Sequence, residues 1–246
     1  MILEFDLGNT RTKWRLTDDI ITLRQGYMNT LEQSAFYAIL NQANETAPAD
    51  TTTPTITSIR AASVADTETE QRLEYLCKGI FAQLPWFART QPYIPNFAND
   101  YTHAEQLGVD RWLAALAAYR SCENACFVID AGTALTLDYV AKEGRFLGGS
   151  IAPGIYMLRQ ALQNSTKRVR FSIDETPNET APGTSTALAV AQGSYMAFDG
   201  AIREGLRLAK QLFGENFIIC CSEPLKYKKH RRRAPLNSSH NLSCVH

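Results

Sequence analysis

Three short clusters in this chain have residue types and spacings suited to chemistry on a phosphate or a metal ion. One phrase is written twice, as Asp6-Leu7-Gly8-Asn9-Thr10 and as Asp130-Ala131-Gly132-Thr133. A carboxylate at a strand end can face a metal ion. A glycine two residues on lets backbone N–H groups approach a phosphate closely. The first copy continues through Arg11 and Thr12 to Lys13, a cation that can meet a phosphate from the returning strand. Neither copy is a Walker sequence, which closes on Gly-Lys-Ser/Thr and opens a helix, and neither is the GxGxxG of a dinucleotide site. The third cluster is Gly108-Val109-Asp110-Arg111, flanked by Leu107 and Trp112. A carboxylate set among apolar neighbours suits a general base. The planar fork of Arg111 suits an anion. The plainer readings are ordinary Asp-Gly hairpin turns and a solvated charge pair. Duplication of the phrase with the same flanks weighs against the first of these.

These residues need elements to hold them. Apolar runs precede both Asp-x-Gly phrases, Met1 to Phe5 and Cys126 to Ile129, and read as strands. Alternating stretches follow, Thr12 to Leu16 and Leu135 to Val140, and read as returning strands. The pattern therefore predicts two similar halves, each with a strand, a tight turn and a second strand, gripping one nucleotide. By simple offset, Leu137 stands where the first copy has Lys13. Helices are predicted over Leu31 to Asn41, from the cap Asp66 to Phe81, over Ala104 to Ser121, from Pro153 to Asn164, and over Thr184 to Phe213. Small residues Ala187, Ala191, Gly193 and Ala197 suggest close packing of that last helix on another. Further strands are predicted over Thr55 to Val64 and Phe217 to Cys221. Gln91 to Tyr101, with Pro92 and Pro95, reads as an irregular connection. Strands alternating with helices imply an α/β protein with mixed sheets.

Composition narrows the class. The chain has 246 residues, 45% hydrophobic and 20% charged, with 25 basic and 25 acidic residues and no net charge. That fits a globular protein of one large or two moderate domains. No apolar run reaches the length of a membrane span, and the first residues enter a strand with no signal-peptide pattern. The expectation is a cytoplasmic protein without a membrane partner. The six cysteines form no CxxC pair and read as reduced, buried thiols. Charge is uneven at one place. Residues 224–246 carry six Lys and Arg and no acid, including the run KKHRRR. The segment lacks apolar periodicity, and the single Tyr227 among its charges makes no aromatic platform, so it reads as a solvated, disordered tail and not as a nucleic-acid surface.

Taken together, Asp6-x-Gly-Asn-Thr-x-x-Lys13, Gly108-x-Asp110-Arg111, Asp130-x-Gly-Thr133 and Gly148-Gly149-x-Ile151-x-Pro153-Gly154 come in the order and spacing of the type III pantothenate kinases. The resemblance covers about residues 1–215. It implies the fold of acetate and sugar kinases, heat-shock ATPases and actin: two duplicated ribonuclease H-like domains with mixed sheets and ATP in the cleft between them. The halves would be residues 1–121 and 122–223, with 224–246 as an atypical basic tail. It implies ATP-dependent phosphorylation of pantothenate to 4′-phosphopantothenate, the first step toward coenzyme A, by a cytoplasmic homodimer.

Carried across, Asp6, Leu7, Gly8, Asn9, Thr10, Arg11, Thr12 and Lys13 resemble the first ATP phosphate-binding segment, with Asp6 near Mg²⁺. Thr133 resembles the ATP contact of the second hairpin. Asp130 resembles the ligand of a monovalent cation, K⁺ or NH₄⁺. Tyr101, Gly108, Val109, Asp110, Arg111 and Thr186 resemble the pantothenate-binding set, with Asp110 as general base. The chain departs from the family after Cys221. The usual Gly-Gly turn and closing apolar helix are absent, and weakened ATP binding is the expected consequence. Two other functions fit parts of the pattern: a related kinase for a small acid or sugar, and a regulatory, transcription-activator-like homologue that uses the basic tail.

Overall fold

A computed structural model describes residues 1–18, 21–46, 56–165, 171–172, 182–221 and 242–244. The basic tail at 224–246 lies almost wholly outside the described residues. The chain divides into two compact units. One comprises Met1–Thr90 with Leu107–Asp110, and the other Gln91–Gln106 with the chain from Arg111 onward.

The first unit is built on a five-stranded sheet. Its strands are β1 (Ile2–Leu7), β2 (Thr12–Asp18), β3 (Ile21–Met28), β4 (Ser58–Ser63) and β5 (Trp86–Phe87), in the order β3-β2-β1-β4-β5. β1, β2 and β3 run antiparallel, and β4 and β5 add in parallel. Period-two alternation divides the faces. Leu3, Phe5, Leu7, Trp14, Leu16, Ile59 and Ala61 are buried on one face. Helices α1 (Gln33–Thr46) and α2 (Thr67–Phe81) cover them with Phe36, Ile39, Leu73, Leu76 and Phe81. The expected cap forms, with Asp66 accepting from Thr69 N at 2.8 Å. The other face carries Glu4, Asp6, Lys13, Arg15 and Arg60, and Glu4 pairs with both arginines.

The second unit repeats the plan. Strands β8 (Cys126–Ala131), β9 (Ala134–Val140) and β10 (Arg145–Pro153) run antiparallel, while β11 (Ile218–Cys221) and β12 (Leu242–Cys244) add in parallel on the far side of β8. The order β10-β9-β8-β11-β12 is that of the first sheet. On one face Phe127, Ile129, Leu135, Leu137 and Tyr139 pack with Phe198 and Ala209 of α5 (Thr186–Phe213). α5 packs in turn on α4 (Ile155–Ser165).

Several expectations change. Gln91–Tyr101 is not wholly irregular. β6 (Tyr93–Ile94) and β7 (Phe97–Asn99) form a hairpin, and β7 pairs with β10. Pro95 and Asn96, the latter at φ 65°, supply the residues a type II turn demands. α3 begins at Val109 (Val109–Cys122), after a 3₁₀ turn at Ala104–Gln106, and not at Ala104. Its Trp112 and Tyr119 pack on Phe97. Hence the units divide at 90/91 and 110/111 and not at 121/122, because α3 beyond Asp110 packs with the second sheet. Pro153 ends β10 and does not open α4. The glycine of close approach in α5 is Gly205, where an added methyl group would lie 2.9 Å from Leu137 and Phe127. Gly193 meets nothing within 4 Å.

Candidate active site

The first hairpin is closed by Gly8 N–H donating to Arg11 O at 3.2 Å. A side chain at Gly8 would press on that same oxygen. The register sets Asp6 directly opposite Lys13, on the polar face. A carboxylate and an ammonium thus share one end of one strand pair. Leu7 O accepts from Val64 N at 3.0 Å, which ties the end of β1 to the end of β4.

The Gly108 turn lies against that same strand end. A Cβ at Gly108 would stand 3.8 Å from the Val64 side chain and 2.5 Å from Asp110 Oδ1. A side chain at Gly108 would push the Asp110 carboxylate out of this position. Leu107, buried, is held by Thr90 Oγ1 donating to its carbonyl at 2.8 Å. Asp110 sits in the first turn of α3, where unpaired N–H groups favour negative charge. The Asp6–Lys13 hairpin and the Gly108–Asp110 turn therefore both border Val64.

Arg111, the next residue, is 7% exposed and belongs to the second unit. Its Nε lies 3.1 Å and 3.2 Å from the two carboxylate oxygens of Asp138, and its Nη2 also donates to Asp138. Nη1 donates to the Tyr101 hydroxyl at 3.0 Å. Burial by itself would lower the Arg111 pKa, but the bonds and charge of Asp138 and Tyr101 outweigh it, and the net direction is up. The guanidinium also lies 5.9 Å from the ring centres of Tyr101 and Phe146. A Cβ on Gly149 would clash with Asp138, Leu137 O and Arg111. Gly149 of the Gly148-Gly149 motif is therefore the space in which this ion pair forms. The fork that the sequence offers to an anion is engaged by Asp138, and Arg111 fixes Tyr101 in place.

Asp138 stands outside all the motifs of the sequence. It is 1% exposed in the middle of β9, between Leu137 and Tyr139. A single charge inside an otherwise apolar strand was the available signal, since such a group is buried only with a partner.

The second hairpin is shorter than the first. Gly132 N–H donates to Ala134 O at 3.0 Å, and the register places Thr136 opposite Asp130. Leu137 thus does not take the place of Lys13. One fewer loop residue turns Leu137 into the core and sets a hydroxyl residue across from Asp130. Gly154 N–H donates to Thr133 O at 3.1 Å, and a Cβ at Gly154 would stand 2.5 Å from that oxygen. Gly154 is thus the close contact that brings the start of α4 against the second hairpin. Thr186 is exposed in the first turn of α5, directly after the cap Ser185.

Two sheets of one strand order, each with an Asp-x-Gly turn between its first two strands, define a duplicated α/β protein with ribonuclease H-like halves. The model of the family described as type III pantothenate kinase matches residues 2–207. A type III pantothenate kinase of Azotobacter vinelandii is 34% identical over 224 residues, covering 89% of this chain and 86% of that one. One from Pseudomonas syringae pv. syringae is 34% identical over 226 residues, with the same coverage. Among solved structures, a protein described as a 2-dehydro-3-deoxygalactonokinase from Sinorhizobium meliloti aligns at a TM-score of 0.49 and 15% identity, covering 89% of this chain and 86% of that one. The chain belongs to the type III pantothenate kinase family.

Proposed function

We propose that this chain transfers the γ-phosphoryl group of ATP to the hydroxyl of pantothenate, giving 4′-phosphopantothenate, with Asp110 as general base. The observation that carries the reading is the Gly108–Arg111 turn. It holds a carboxylate at a helix start beside the phosphate-type hairpin. Through Arg111 it also locks the Tyr101 hydroxyl.

Phosphoryl transfer asks the protein chiefly for alignment and charge neutralisation. Asp110 takes the proton of the attacking hydroxyl. Lys13 and the N–H groups of the Gly8–Arg11 turn take up charge that develops on the phosphate oxygens. Thr133 offers a hydroxyl to ATP from the second hairpin. Tyr101 accepts from Arg111, which leaves its own O–H to donate to pantothenate, and Thr186 completes that set.

Mg²⁺ fits Asp6. Among the described residues no group of three acidic, histidine or cysteine side chains is arranged to hold a metal. One exposed carboxylate suits an ion that keeps its waters and binds mainly through phosphates. When bound, it would supply positive charge at those oxygens. Asp130, half-buried with Thr136 opposite, is the oxygen donor for K⁺ or NH₄⁺. Among the described residues no helix is long and apolar enough to cross a membrane. The free cysteines support a cytoplasmic setting. Exposed Tyr156, Met157 and Leu162 on α4 and Met196 on α5 support a homodimer.

The test is a coupled assay of ADP release across a panel of acceptors. Release with pantothenate, but not with acetate, glycerol or hexoses, and stimulated by K⁺, is expected. Release with a hexose in place of pantothenate would overturn the reading.

A further inference from the structure

The end of α3 and the start of β8 bring together thiols that the reaction does not use. Glu123, at φ 47°, reverses the chain directly after the helix, and its N–H closes on Tyr119 O at 2.7 Å. Asn124 Oδ1 then accepts from Ala125 N at 2.9 Å and fixes the turn. The result sets Cys122 Sγ 3.1 Å from Cys126 Sγ. Both sulfurs also point at Asn124 O, Cys126 from 3.1 Å and Cys122 from 3.8 Å. Cys126 is fully buried and Cys122 half-exposed.

The neighbourhood sorts the thiols by role. Cys77, by contrast, is buried in the first core, and desolvation pushes its pKa up to about 12, so it is inert. Cys126 is hydrogen-bonded to Cys220 on the adjoining strand as well as to Cys122. These bonds, with burial, push its pKa upward. It is a poor first nucleophile. Cys122, partly exposed, can meet an external reagent.

We infer that Cys122 and Cys126 form a dithiol site that reacts with small-molecule disulfides and closes to an intramolecular disulfide. Cys122 thiolate attacks one sulfur of the reagent, RSSR. A Cys122–SR bond forms and one RS⁻ leaves. Cys126 then gives up its proton to solvent and attacks the Cys122 sulfur, expelling the second RS⁻. The two protein thiols lose two electrons and two protons, and the reagent's disulfide is reduced to two thiols. Holding the sulfurs in contact offsets the small thiolate fraction of Cys126. The bridge ties the end of α3, which carries Arg111, to the start of β8, which carries Asp130.

The experiment exposes the reduced full-length protein to oxidised glutathione, then labels remaining thiols with iodoacetamide under denaturing conditions. Tryptic cleavage after Arg120 and Lys142 releases both cysteines in one peptide. The expected result is that this peptide carries no label and is two hydrogen atoms lighter than its dithiol form. Cys77 stays labelled. In Cys126→Ser, glutathione is expected to remain trapped on Cys122. In Cys122→Ser, whose altered side chain is half-exposed, neither adduct nor bridge is expected, and Cys126 takes label. Persistent glutathione on Cys122 of the wild-type protein, label on both thiols, or a Cys126–Cys220 link would overturn the assignment.

Discussion

At the scale of single residues, Asp110 and Asp138 are both carboxylates but have different work. Asp110 sits over a glycine in a helix's first turn, where the proposed function puts the general base. Asp138 is buried against a guanidinium, positioned for structure. Asp110→Asn keeps the shape and removes the base, and loss of a general base costs on the order of 100- to 10,000-fold in rate. The expected outcome is that loss in kcat, with ATP affinity by calorimetry and the melting temperature unchanged. Near-normal turnover would rule Asp110 out. Asp138→Asn replaces the carboxylate that faces the buried charge of Arg111 by a neutral amide. Breaking such a pair costs about 3 kcal/mol or more. Urea unfolding of this variant should show that loss. Tyr101→Phe tests the other end of the same chain of contacts. It removes one half-buried hydroxyl, so it should raise KM for pantothenate several-fold with stability little changed. A stability loss as large as that of Asp138→Asn would mean that Tyr101 is only part of the scaffold.

At the scale of elements, short-range pairs lock helices to strands. Glu70 of α2 accepts from Arg89, just beyond β5, with Nη1 at 2.9 Å and Nη2 at 2.6 Å. This bidentate bond to Arg89 holds the Glu70 carboxyl below its ordinary pKa, against the opposing effect of burial. A carboxylate with a lowered folded pKa adds stability above its unfolded pKa and loses it as pH falls through the folded value. Arg89 is half-exposed, so the pair contributes at most about 1 kcal/mol and is screened by salt. Glu70→Gln should therefore melt slightly below the wild-type protein near neutrality. The two melting temperatures should converge as pH drops through and below the usual glutamate range. A constant gap down to pH 3 would assign the difference to packing. Long, strongly patterned elements such as α2 and α5 were legible in the sequence, because caps and apolar spacing act locally. The β6–β7 hairpin was not. Strands of two and three residues carry no period, and they form because β10 offers an edge. The Arg111–Asp138 pair was illegible for a related reason. It depends on register, and only the folded strands put Gly149 beside Asp138.

At the scale of the whole molecule, the repeated phrase proved to be the visible part of a repeated topology, with β12 completing the second sheet as β5 completes the first. The sequence signalled the two turns, but a one-residue difference in turn length changed which residue faces each carboxylate. The same scale governs association. Among the described residues of α4 and α5, Tyr156, Met157, Leu162 and Met196 are exposed, and Met196 is 68% accessible. The two helices pack on each other, with Arg159 set 5.7 Å from the Tyr195 ring centre. Large apolar side chains left in water on adjoining helices are the surface on which the proposed homodimer would form. If a second copy covers it, a charge placed there must be desolvated on association, which is far more costly than exposing it. On the proposed homodimer, the wild-type protein should sediment as a dimer and Met196→Glu as a monomer at the same concentration, with an unchanged circular dichroism spectrum. Two dimers would move the contact off this pair of helices, and two monomers would overturn the homodimer.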